Sequence, residues 1–177
     1  MASNKYPPIR VRYNGLFDFD GLYAAMTDWA KNYGYLWEEE SYKHKVPSPK
    51  GAEQEWLWFA EKNVTDYIHY KLMILGHIWD MTEVEVEKEG KRKKLTNGRF
   101  EIIIIGTLTT DWQKKWGQNK FSRFLGRMYE KYVMVKEIET IYGDQLWYRM
   151  WNLQAVLKKF FDMQTKWHEY KRYLGEN

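Results

Sequence analysis

Cysteine is absent from this 177-residue chain, which excludes disulfides, thiolate metal ligands and cysteine nucleophiles and fits a reducing compartment. Four histidines occur (His44, His69, His77, His168), and none stand three or four apart. A helical zinc-ligand pair is therefore not encoded. The glycines form no phosphate-binding loop, Gly-x-Ser-x-Gly elbow or dinucleotide fingerprint. The longest aliphatic runs, Leu72–Leu75 and Ile102–Ile105, fall far short of the roughly 18 residues of a membrane span. Residues 1–8 lack the apolar stretch of a signal peptide, so the expectation is a cytoplasmic protein. No catalytic group, metal site or cofactor is expected, and the chain reads as non-enzymatic.

Aromatic residues, in contrast, are abundant. They make up 18% of the chain, with ten Trp and fourteen Tyr, enough to supply a core and still line an interface or a cavity. The formal charge of +4 is unevenly spread: from Asp111 onward 13 Lys/Arg face 8 Asp/Glu, while the first 110 residues carry 15 against 16. This bias permits an acidic partner without requiring one.

Hydrophobic periodicity predicts the elements. Residues 1–8 read as a flexible tail. Ile9, Val11 and Tyr13 alternate with Arg10 and Arg12 as a strand, and Asn14-Gly15 reads as a turn. Asp18 or Asp20 caps a helix with apolar face Leu22, Ala25, Met26, Trp29 and Tyr33, closed by Gly34. Period-two strands follow over 35–46, 55–62, 67–79, 82–88 and 99–110, separated by Pro47–Gly51, Asn63–Asp66 and Glu89-Gly90, with a bulge or bend at Gly76.

The last third, 119–174, carries apolar residues in sevens: Phe121, Met128, Val135 and Tyr142, then a four-residue step to Leu146, then Leu153, Phe160, Trp167 and Leu174. It reads as one long amphipathic helix or as two broken at Gly143. The expected fold is α+β, an antiparallel meander of five to six strands covered by an N-terminal helix and this long C-terminal helical segment. Residues 9–142 form the domain, and 143–177 form a helical extension. Phe121–Tyr142 is expected to lid the sheet. The face Leu146, Met150, Leu153, Leu157, Phe160, Met163, Trp167 and Tyr170 is left as the candidate surface for a protein partner or a second copy.

Other candidates are weaker. His77 and Asp80 stand close enough for an acid–base pair, but a solvated strand end is the simpler reading. Glu38–Glu40 and the row Glu83, Glu85, Glu87 can bind a cation or serve glycoside chemistry, yet they also suit any wet sheet face. Lys91, Arg92, Lys93 and Lys94 at a hairpin tip, with Lys114, Lys115, Lys120 and Arg123 near Trp112 and Trp116, are candidate nucleic-acid contacts.

The element order over residues 9 to 142 is similar to the helix-grip, START-like lipid-binding fold, although one early helix of that family has no counterpart here. This likeness implies an apolar ligand in a cavity walled by Trp56, Trp58, Tyr70, Leu72, Ile102 and Ile104. The stretches Tyr42–Pro49, Trp79–Val86 and Asp162–Thr165 resemble ones in uncharacterised small proteins of uncultivated archaea, which implies an archaeal cytoplasmic origin and no particular activity.

Overall fold

The computed structural model describes residues 2–48, 51–88, 91–115, 120–134 and 136–163, with side-chain positions for all of these except 45–48, 88, 91, 93, 122, 123, 127, 130 and 131. The fold is α+β. Strands β1 (Ser3–Lys5), β2 (Ile9–Phe17), β3 (Leu36–Ser48), β4 (Gly51–Asn63), β5 (Ile68–Lys88) and β6 (Lys91–Thr110) form one antiparallel sheet. Helix α1 (Phe19–Asn32) lies between β2 and β3; α2 (Lys120–Tyr132) and α3 (Asp144–Phe160) follow the sheet. The meander runs β6-β5-β4-β3, and β2 pairs with the free edge of β6. The supposed loose tail is ordered on that edge too: β1 pairs Ser3 with Thr109 and Lys5 with Thr107. Its polar side chains gave no sequence signal; the open edge of β6 recruits it through backbone hydrogen bonds, with Thr110 Oγ1 bonded to Ala2 and Tyr6 packed on Trp147.

Asn14-Gly15 does not turn the chain. β2 runs straight through to Phe17, with Gly15 opposite Gly98 and at φ +143, a conformation that favours glycine. Helix α1 ends as expected. Gly34 (φ +71) donates to Lys31 O and Tyr35 N donates to Ala30 O, the paired bonds of a Schellman motif.

The expected strands 67–79 and 82–88 are one strand. β5 passes through a bulge at Asp80, which takes φ +54 and is held by Arg99 through Nε and Nη2, both 2.7 Å from Oδ2. Beyond Met81, β5 leaves β4 and continues with β6 as a two-stranded arm. Gly76 marks a close approach rather than a bulge: a Cβ there would lie 1.9 Å from Cε2 of Trp56.

One face of the sheet buries Trp56, Trp58, Ala60, Tyr70, Leu72, Ile74, Ile102 and Ile104. Helices α1 and α3 pack beside each other on it, tied by a buried 2.7 Å bond from Trp29 Nε1 to Asn152 Oδ1. The helical region after the sheet is not continuous. It breaks at Val133-Met134, where both amides turn back to Tyr129 O. It then runs unbroken through Gly143, as a π-helical stretch (Glu137–Gly143) leading into α3. Gly143 lets Tyr6 approach there: a Cβ would meet Tyr6 Oη at 2.5 Å, so Tyr6 would have to move.

Candidate docking surface and the open sheet face

The two halves of the C-terminal region exchange the roles expected of them. Leu146, Met150, Leu153 and Leu157 are fully buried, so they are not a docking surface, and α3 is not an extension but part of the domain core. Phe160 is half-buried and packs on Phe161. Met163 is exposed, and Trp167 and Tyr170 lie outside the described residues. A repeat of sevens marks an apolar seam but not what covers it. The better signal was charge: between Gln145 and Leu157 only Arg149 is charged, as a helix buried around most of its girth requires.

Helix α2 is the surplus element. Phe121, Phe124, Leu125, Met128, Tyr129, Tyr132 and Val133 are 36–71% exposed, so this segment does not lid the sheet. It leans on the body along another edge, where Gly126 is buried and Tyr129 meets the Tyr67 ring edge-on at 6.3 Å. The link before it is tethered by Trp112 Nε1 donating to Thr65 O (3.1 Å) and by Lys115 beside Asp66 (3.3 Å).

The six candidate cavity residues share the inner face, as expected, and are packed as core. Trp56, Trp58, Tyr70, Leu72, Ile102 and Ile104 are at most 3% exposed and belong to a single cluster with α1 and α3. Met150 Sδ would lie 2.5 Å from a Cβ on Gly106, so helix and sheet touch directly there. Tyr70 carries the main polar link between them, its hydroxyl donating to Tyr142 O (2.6 Å) and lying 3.1 Å from Gln145 Oε1. Tyr35, by contrast, buries a hydroxyl that has no hydrogen-bond partner among the described residues.

We expect Tyr70→Phe to cost roughly 1–3 kcal/mol, and Tyr35→Phe to be neutral or stabilising. Burial raises the pKa of both tyrosines from the ordinary 10.0. The folded state holds them neutral while the unfolded state ionises them. Their contribution is therefore full below about pH 10 and is lost as pH rises towards the folded values. Urea melts of the wild type and both variants at neutral and alkaline pH check all three expectations.

The opposite face of the sheet carries two apolar rows, Leu57–Leu75–Ile103 and Phe59–Met73–Ile105, all half-buried. Beside them runs a polar row, Glu55–His77–Glu101, with Arg12 opposite Glu101. The His77–Asp80 pair does not form, because the bulge turns Asp80 to Arg99. His77 instead stacks on Trp79 (centroids 3.8 Å apart), with Nε2 lying 3.9 Å from a Glu53 oxygen and 3.8 Å from a Glu55 oxygen. Their ligand atoms lie within 4.8 Å of one another, beside a cleft of about 380 Å³. Among the described residues this is the set able to hold a divalent cation. Sequence reasoning missed it because only the β4–β5 register brings Glu55 opposite His77. At His69, burial lowers the pKa more than the neighbouring Glu61 raises it.

The acidic row and the basic tip prove to be two strands of the same arm. Glu85 faces Lys94 and Glu87 faces Arg92, and Lys94 Nζ lies 3.7 Å from Glu83. Cross-strand pairing offsets much of the positive potential that a polynucleotide would need, even though exposed pairs of this kind add little stability. Glu38 and Glu40 are exposed. Lys114, Lys115 and Lys120 are exposed, while the side chains of Lys91, Lys93 and Arg123 lie outside the described residues. Among the described residues no helix is long and apolar enough to cross a membrane. No protein-family model, curated protein or solved structure matches this chain.

Proposed function

We propose that this chain is a non-enzymatic interaction protein whose docking element is α2. The observation that carries the reading is the exposure of six large apolar or aromatic side chains on one short helix, with Val133 just beyond it. Along the stripe Phe121, Phe124, Leu125, Met128 and Tyr132 this leaves on the order of 600 Å² open, at the upper end of what a typical monomer exposes in one patch. α1 and α3 already cover the inner face of the sheet, so folding does not require α2 to be apolar. A helix-grip carrier of apolar ligands has support in the element order, but its expected cavity wall is occupied by packed side chains. A polynucleotide reading has support in the lysines before α2, but not in the arm, where base faces acid.

Because the chain lacks cysteine, single replacements report cleanly. Met128→Cys on α2 should react with a water-soluble thiol reagent about 100-fold faster than Met150→Cys on α3, which opens only with the core. Protection of residue 128 in the monomer would show α2 folded onto its own chain and would contradict the reading.

A further inference from the structure

We infer that the surface on which α2 docks is an anionic lipid bilayer; the inference rests on α2 being the docking element and adds the identity of what it meets. Residues 112–136 carry seven Lys or Arg against a single Glu, a net +6, whereas the whole chain carries +4. The other 152 residues therefore sum to −2. The helix itself carries four Lys or Arg against one Glu, +3, and Lys114, Lys115 and Lys136 flank it.

At 3.6 residues per turn, Phe121, Phe124, Leu125, Met128 and Tyr132 fall along one stripe, and Lys120, Arg123, Arg127 and Lys131 fall together on the remaining arc. The stripe residues are the ones the structure leaves exposed, while the body meets the helix at Gly126 and Tyr129. An apolar stripe bordered by long cationic side chains suits the boundary between acyl chains and headgroups, where the stripe sinks and the cations reach anionic phosphates. The aromatic residues at both ends of the stripe, Phe121 and Tyr132, suit the same depth. Thirteen residues make a helix of roughly 20 Å, which lies along the surface and does not span it.

Other occupants fit less well. A second copy docking helix to helix would set +6 against +6 across the two-fold. A polynucleotide needs its cations at the centre of the contact, where this helix presents Leu125 and Met128. An acidic protein groove would meet the charge, but it gives no reason for so wide an open stripe on one short helix.

The test is co-sedimentation of the full chain with vesicles of phosphatidylcholine alone or with roughly a third phosphatidylglycerol, at low and high salt. Binding is expected to the anionic vesicles only and to fall with salt. It should weaken about tenfold or more in Phe121→Ser/Phe124→Ser and in Lys120→Gln/Arg127→Gln. Both double variants should keep the wild-type melting temperature, since Lys120, Phe121 and Phe124 are exposed. A Met128→Cys label read in parallel separates the two claims. If the label is water-exposed and stays so with anionic vesicles, the bilayer is ruled out and α2 as a docking element survives. If it is shielded in the free monomer, both fail. Shielding only in a dimer seen by light scattering, or oligonucleotide binding that both double variants retain, likewise overturns the bilayer inference.

Discussion

Gly76→Ala is expected to destabilise the chain by about 3 kcal/mol or more, a large share of the 5–15 kcal/mol typical of a domain. The added Cβ would sit 1.9 Å from Cε2, 2.1 Å from Cζ2 and 2.3 Å from Nε1 of Trp56, well inside van der Waals contact with the ring. Trp56 has nowhere to go. It is 2% exposed and held by Phe19, Trp58 and Phe100, with ring centroids 5.2–6.0 Å away. The glycine lies directly across the β4–β5 pair, so neither strand can yield without disturbing the ladder. The cost should shrink when the ring is removed. Gly76→Ala made in a Trp56→Ala background should cost less than in the wild type, a coupling that a double-mutant cycle reads directly. A wild-type melt for Gly76→Ala alone would show that the close approach is not there.

This pair also shows what the sequence could reveal. Alternation of apolar and polar residues placed the strands, and Gly34 placed the end of α1. The meander followed from short turns. Gly76 was visible as an irregularity, but its reason was a tryptophan twenty positions earlier, and only the register supplies that. The same limit explains the missed set of Glu53, Glu55 and His77, which belongs to two strands. It explains β1 as well, whose pairing rests on an open edge elsewhere. Asn14-Gly15 carried a genuine local turn preference, overridden by nine consecutive pairings with β6.

The helices went the other way. Sevens identified both amphipathic segments but assigned them in reverse, because a seam looks alike whether it meets a sheet or solvent. The distinguishing residues were polar ones. α2 concentrates lysine and arginine on the arc beside its stripe, as a helix at a boundary does. α3 carries Asn152 and Gln154, both at most 9% exposed, on a nearly charge-free stretch that closes over the core.

The second large effect follows from that exchange. Leu153 is fully buried in the cluster between α1, α3 and the sheet. Its truncation to alanine removes buried methyl groups and leaves a cavity in that cluster. A cost of about 2–5 kcal/mol is expected. Phe124, a larger side chain on α2, is 55% exposed. Its truncation should change stability by no more than about 0.5 kcal/mol. Size alone would predict the opposite order.

The central claim is that α3 closes the core and α2 leaves its apolar stripe open. Urea melts of Leu153→Ala and Phe124→Ala, measured side by side, test it most directly. The account predicts a large loss for Leu153→Ala and a curve superimposable on wild type for Phe124→Ala. Comparable losses, or a larger one at Phe124, would contradict it.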